Sequence, residues 1–435
     1  MENIENNFEK EITREQVKEL LEFIERKWDD LIYNSRGGAQ EIGNDPDEIL
    51  YLPNDYVVPN KERFSTMFYW DSYFIIQGLK TEGNRRELIK GIVDNCLYEV
   101  EKYSKVLNAN KARWATRSQL PYLALMIKDV YPRTNIAGVK VISGKTKQDC
   151  LVKFSKDKKW LEQAFKTAKK EYNEYWMNRF HLTPTGLSRF YDESGNKAIG
   201  DYKKTHTYKS RAEASWDMSP RFDDEDIHDL LPVDLNCNLY QYENDFEKFA
   251  EILGKREEAA RWRKKAVKRK GKINKMMWDE KDGLFFDYNF KIGKRKKIKS
   301  LASYQTMFVG LADGKQAEAL KSNLKLFQTK GGLAACDRDY GCSDRQWNYP
   351  IIWAPLQYIA AKGLERYGYI KEAERVKKNF IALVCENWRK TGKIWEKYNG
   401  KTEETEAPFD RYPNQSGFGW TNAVMEAFIK EIYKI

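Results

Sequence analysis

Apolar residues recur along this chain at the spacing of helices buried on one face, about 3.6 residues per turn. In residues 13–34, Val17, Leu20, Leu21, Ile24, Trp28, Leu31 and Ile32 fall on one stripe, and Thr13 with Gln16 reads as a capping box at its start. Residues 84–102 repeat the design with Leu88, Ile89, Ile92, Val93, Cys96, Leu97 and Val100, behind a start signal of Asn84 and Glu87. Similar stripes run through residues 160–176, 235–268, 303–311, 316–327, 354–367, 370–388 and 419–433. Strand-like alternation is confined to short pieces, residues 284–290 and 394–398. So many helices with so little sheet predict an all-α architecture.

No Pro- or Ser-rich linker divides the chain, which predicts one domain. Most polar connections are short; two are longer, residues 188–209 and 400–415, and loops of that length in a helical chain often carry function.

Composition narrows the chemistry. The 435 residues hold 76 Lys and Arg against 65 Asp and Glu, a balance of +11. The excess gathers in residues 261–275 and 291–299; without a nucleic-acid-binding motif these read as a solvated helix face and a loop, so no nucleic-acid partner is expected. No apolar run reaches the ~20 residues of a membrane span, and the first 18 residues lack the apolar core of a secretory signal. The expectation is a cytoplasmic monomer with no membrane partner. Six scattered cysteines without a C-x-x-C pair predict reduced thiols, mostly buried.

Three isolated histidines, His181, His206 and His228, exclude an H-E-x-x-H zinc helix, and no G-x-S-x-G elbow supports a Ser-His-Asp relay. What remains is carboxylate chemistry among aromatic rings, which suits enzymes acting on carbohydrates. Four clusters combine the two. In residues 63–74, a helix starting near Tyr69 puts Trp70 and Asp71 together at its first turn, as an aromatic core helix with a capping Asp would also do. Residues 108–121 are rich in side chains that bond hydroxyls, and fit a polar helix-capping loop equally well. In residues 213–222, Asp217 stands between Trp216 and Met218, where desolvation raises a carboxyl pKa; pairing with Arg221 would lower it instead. Glu396, beside the long polar stretch, is placed either as a base or as a surface partner of Lys397.

Taken in order, these segments resemble the trehalases, a family of inverting glycoside hydrolases that split α,α-trehalose into two glucoses. The resemblance rests on Arg63-Phe64 through Trp70-Asp71-Ser72-Tyr73-Phe74 and on Gln346-Trp347-Asn348-Tyr349-Pro350-Ile351-Ile352-Trp353-Ala354-Pro355. Further matches fall at Asn108, Arg117-Ser118-Gln119, Ser215-Trp216-Asp217, residues 231–236, Glu396-Lys397-Tyr398 and residues 417–422. It implies an (α/α)6 barrel of paired inner and outer helices. The expected organisation is one catalytic domain over residues 1–435, with residues 1–45 as an N-terminal helical extension packed on it. It also implies Asp217 as general acid and Glu396 as general base, with about 6.5–9.5 Å between their carboxyls for one water. Arg63, Phe64, Trp70, Asp71, Asn108, Arg117, Gln119 and Trp353 match sugar-binding positions. The partner is a small sugar, and neither metal nor organic cofactor is required.

The chain departs from the family pattern at Asn348, where Asp is usual, and at Ile351-Ile352, which replace a Gly-containing pair. An Arg-Pro-Glu-Ser segment has no clear counterpart in residues 199–206, and Arg411 replaces a substrate-contacting Glu before Tyr412-Pro413. These changes concern substrate grip. With Arg411 and the pair Lys203-Lys204, they leave open another α-glucoside, one with an acidic aglycone, and a sugar-binding homologue without activity.

Overall fold

A computed structural model describes residues 12–131, 147–195, 205–222, 227–341, 345–406 and 412–435, of which 147–156 are described by backbone only. In chain order the helices are α1 (Arg14–Lys27), α2 (Tyr69–Glu82), α3 (Arg86–Tyr103), α4 (Leu123–Val130), α5 (Lys147–Lys170) and α6 (His206–Glu213). After them come α7 (Val233–Ile252), α8 (Arg256–Met277), α9 (Gln305–Phe308), α10 (Gly314–Asn323), α11 (Ala354–Arg366), α12 (Ile370–Thr391) and α13 (Gly419–Tyr433).

These helices alternate between two environments. From Tyr69 to Leu79 every residue of α2 is buried, as is every residue of α13 from Gly419 to Ile429. The first turns of α4, α7 and α11 and the whole of residues 301–308 are buried in the same way. A helix covered all round belongs inside a ring of others. By contrast α1, α3, α8 and α12 bury a single stripe, as their periodicity requires, and with α5 and α10 they pack outside. Among the described residues, six inner and six outer helices make an (α/α)6 barrel. Close approach between inner neighbours needs small residues: a Cβ on Gly78 of α2 would stand 2.5 Å from the Cα of Ala423 in α13.

α1 takes the outer place beside α12 and α13. Its capping box closes in both directions, Gln16 N donating to Thr13 Oγ1 (3.3 Å) and Thr13 N to Gln16 Oε1 (3.1 Å). Just past its end, the buried Trp28 donates from Nε1 to Glu426 of α13 (2.8 Å).

Several boundaries differ from the sequence reading, each for a local reason. The stripe over residues 235–268 is two helices, because the chain reverses at Gly254, which takes φ = +79°. Asn84 is not a cap: α3 starts behind Arg85, whose side chain pairs instead with Glu82 and Asp29. The alternation in residues 284–290 is split between two small sheets, Leu284–Phe285 pairing with Trp278–Asp279, and Tyr288–Asn289 with Leu230–Leu231 and Lys294–Arg295. The strand expected at 394–398 is Lys397–Asn399. α4 has no counterpart in the sequence reading, and α6 begins inside the polar stretch 188–209.

The basic cluster on α8 is not wholly solvated. Arg269 is buried and donates to Glu243 (2.9 Å) and to the Tyr172 hydroxyl (3.2 Å), while Lys264 and Lys268 are exposed. Cys96, Cys237 and Cys385 are free, and they and Cys336 are buried; the side chains of Cys150 and Cys342 lie outside the described residues. No described helix is long and apolar enough to cross a membrane.

Candidate active site

The segments just before the inner helices, and the first turns of those helices, meet at one end of the barrel around a cavity of about 600 Å³. Trp70 and Asp71 lie in the first turn of α2, Gln346 to Trp353 run into α11, and Phe418 to Trp420 begin α13. Inner helices thus point their N-termini, the positive ends of their dipoles, toward a space that collects carboxylates.

Asp71, Asp217 and Glu396 line this cavity together with Arg63, Phe64, Trp70, Asn108, Arg117, Gln119 and Trp353. Sequence motifs spread over more than three hundred residues are thereby brought to one place. Arg411 lies outside the described residues, as do Lys203 and Lys204.

Asp71 is buried and is not a cap: Phe68 is the N-cap of α2, and no side chain caps that helix. Burial pushes the Asp71 carboxyl well above the ordinary carboxylate range, and the nearby charges of Glu396 and Asp217 push it further. The backbone N of its neighbour Trp70 donates to Gln119 Oε1 (3.1 Å), which fixes Gln119 at the wall.

Asp217 sits on a tight turn. Ser215 and Met218 on either side take left-handed backbone, φ = +62° and +61°, which costs a non-glycine residue about 1 kcal/mol. The turn is held from outside: Leu120 N donates to Ser215 Oγ (3.1 Å) and Trp347 N to Met218 O (3.4 Å). Arg221 does not pair with Asp217. It is fully buried and turned to Asp234 and Asp287, each at 2.7–2.9 Å, while its guanidinium lies 4.7 Å from the Trp216 ring centroid.

Glu396 immediately precedes the strand Lys397–Asn399, which pairs antiparallel with Ile351–Trp353. This places the carboxylate against the second tryptophan-rich signature. At 2 % exposure it is no surface residue, although it does pair with Lys397, whose Nζ stands 3.2 Å from Oε2. Tyr412 donates its hydroxyl to Oε1 at 2.7 Å. Burial pushes the Glu396 carboxyl up; Lys397 and Tyr412 pull it back, and the charge of Asp217 adds to the rise. The backbone is fixed as well, with Trp420 Nε1 donating to Glu396 O (3.1 Å) and Glu396 N to Gln415 O (2.8 Å).

The polar wall is built by crossed hydrogen bonds. Asn108 N donates to Arg117 O (2.9 Å), and Asn108 Nδ2 to Ser118 O (3.2 Å). Arg117 is buried, its Nη1 3.8 Å from Asp192, and despite burial Arg117, Ser194 and Thr116 hold Asp192 below its usual range. The apolar wall is a cluster of indoles. Trp347 and Trp353 stack at 3.9 Å with 7° between planes, Trp216 stacks on Trp347 at 5.4 Å, and Trp70 meets both Trp347 and Trp420 at 5.6 Å.

Sequence reasoning missed several lining residues. Trp347 and Trp420 were inside quoted motifs, and their type was the available signal. Glu62 and Tyr208 carried none: Glu62 reaches the cavity because Asn60 Nδ2 donates to its Oε2 (2.6 Å) and Asn60 Oδ1 accepts from the backbone of Glu62 and Arg63. The histidines lie elsewhere. His181 is buried beside Glu213 (3.2 Å), and His206 and His228, distant in sequence, face one another at 4.2 Å outside the cavity lining.

Comparison with known proteins gives a match to the family model described as trehalase over residues 1–433. Among solved structures, neutral trehalase Nth1 from Saccharomyces cerevisiae is similar at 24 % identity, with a TM-score of 0.78, covering 95 % of this chain and 94 % of that one. A GH63 mannosylglycerate hydrolase from Thermus thermophilus, in complex with glucose, is similar at 15 % identity and a TM-score of 0.65, covering 95 % of this chain and 99 % of that one. At these identities the likeness concerns the fold.

Proposed function

The chain belongs to the trehalase family and is a glycosidase of that family, and from this premise we propose that it hydrolyses α,α-trehalose with inversion of configuration, Asp217 serving as general acid and Glu396 as general base. The observation that carries the reading is the convergence of three carboxyls, Asp71, Asp217 and Glu396, with the polar and indole walls on one cavity.

The chemistry follows from the placement of each group. Asp217 gives its proton to the glycosidic oxygen as the bond to the anomeric carbon breaks. Glu396 takes a proton from a water that attacks that carbon from the opposite face, a step for which inversion requires about 6.5–9.5 Å between the two carboxyls. Asp71, Arg117, Asn108 and Gln119 offer carboxyl, guanidinium and amide partners for sugar hydroxyls, Arg63 adds a cation, and Phe64, Trp70 and Trp353 cover the apolar faces of the rings. Two carboxyls and a water complete the reaction, which calls on no cofactor. Among the described residues the additional cations on the lining, Lys111 and Arg113, are both held by Asp47 (2.7 and 2.6 Å).

Incubation with trehalose, followed by proton NMR of the anomers, tests the reading. Inversion releases β-glucose alongside α-glucose at the first time points. No glucose at any pH overturns the assignment to trehalose, and α-glucose alone overturns inversion. Compartment and oligomeric state belong to the same proposal: a cytoplasmic monomer, checked by fractionation and by light scattering.

A further inference from the structure

We propose that Tyr412, acting with Lys397, is a positioning residue for the base: its hydroxyl fixes one oxygen of Glu396 while the Lys397 ammonium fixes the other, and its ring ties the base to Arg63. The inference rests on the role given to Glu396 above.

Each oxygen of Glu396 has its own donor, Tyr412 Oη on Oε1 (2.7 Å) and Lys397 Nζ on Oε2 (3.2 Å). A single donor leaves a carboxylate free to turn about it; two donors from different segments set the carboxylate plane. Lone pairs remain on both oxygens, so a water can still deliver its proton. Lys397 has no exposed surface and stands 4.6 Å from the Tyr412 ring centroid and 5.4 Å from that of Trp353, so it cannot swing away into solvent.

Tyr412 is held in turn. The Arg63 guanidinium lies 4.5 Å from its ring centroid, and Phe64 meets it edge-on at 5.6 Å. One phenol therefore touches a sugar-gripping cation on one side and the base on the other. Burial and the charge of Glu396 push the ionisation of Tyr412 well up, which keeps it a donor throughout the working range. Among the described residues the charged and titratable groups facing Glu396 are its neighbour Lys397, Tyr412, Asp217 from the turn before Met218 and Asp71 from α2. The charge of Asp217 favours protonation of Glu396. Tyr412 and Lys397 oppose it, which is the direction a base requires.

Tyr412→Phe keeps the ring and removes the hydroxyl. The decisive measurement is the pH dependence of kcat/KM with two substrates, trehalose and α-glucosyl fluoride, whose leaving group departs without a proton from Asp217. We expect the acid limb to move up by about one pH unit with both, the size of a lost hydrogen bond to a charged group, and kcat to fall about tenfold. An acid limb that stays in place overturns the inference. Added to Glu396→Gln, Tyr412→Phe should leave the residual rate unchanged; a further tenfold loss overturns action through Glu396. Should Tyr412→Phe fail to fold, 3-fluorotyrosine at position 412, a stronger donor of nearly the same shape, should move the acid limb down, and a limb unmoved or moved up counts against the proposal. Failure of the wild type on trehalose alone would remove the substrate assignment and leave this test readable on the fluoride; failure on both would remove both.

Discussion

Arg221 grips Asp234 through two parallel hydrogen bonds of 2.7 and 2.9 Å, four residues of chain after Asp217, which it leaves to the cavity. On its other edge it binds Asp287 at 2.8 and 2.9 Å, and Asp287 Oδ1 also accepts from Val233 N at the start of α7. The pair of aspartates pushes the guanidinium pKa up against the cost of its burial. The cation nearest to Asp217 in sequence is instead the anchor of its turn.

Arg221→Leu is therefore expected to act on stability. It strands two buried carboxylates and should cost about 3–5 kcal/mol, read as a lower midpoint in urea unfolding. An unchanged midpoint would show that the anchor is dispensable.

Asp217→Asn and Glu396→Gln should each lower kcat on trehalose by about 10²–10⁴-fold, the usual range for a lost acid or base, with sugar affinity retained in calorimetric titration. Variants that keep wild-type turnover would mean the chemistry lies in other groups, or that the chain only binds sugar.

Asp71 makes a prediction about stability with a definite sign. Its folded-state pKa is raised, so the folded protein holds the proton more tightly than the unfolded chain, and stability falls as pH rises above the ordinary Asp value. Asp71→Asn removes that burden. It should raise stability at neutral pH by about 1–3 kcal/mol, with the advantage vanishing near pH 3, while KM for the sugar rises. A variant less stable than wild type at pH 7 would contradict this account.

Glu171, at the start of a π-turn that continues α5, is buried and accepts from the hydroxyls of Tyr69 (3.1 Å) and Tyr242 (2.8 Å). Burial pushes its carboxyl up to about 7 despite those donors. The same sign holds: its contribution is complete below about pH 4.5 and is lost as pH rises to about 7, a loss of order 3 kcal/mol. Denaturant unfolding at pH 5 and pH 8 should show wild type losing more stability than Glu171→Gln over that interval. Parallel losses would place the titration elsewhere.

The parts legible in sequence were those encoded by near neighbours. The capping box at Thr13, the helix from Tyr69 and the helix from Gly419 appear where the residues place them, because a 3.6-residue stripe and a cap are properties of one segment. The stripe over 235–268 was continuous across Gly254, and only the positive φ there shows the turn. α4 was missed because at eight residues it is too short for a 3.6-residue stripe to repeat.

The candidate site divides in the same way. Residue types and their order were fixed along the chain, and the resemblance to the trehalases that they carry is what implied Asp71, Asp217 and Glu396. Sequence alone allowed Asp217 to pair with Arg221 and Glu396 to face solvent with Lys397. Those alternatives depend on partners far away in the chain: Asp234 and Asp287 take Arg221, and Tyr412 with Trp420 encloses Glu396. Burial and pairing decide the protonation of a carboxyl, and both are set by contacts between segments, so the amino-acid sequence determined which groups were present and the closed barrel decided what each of them meets.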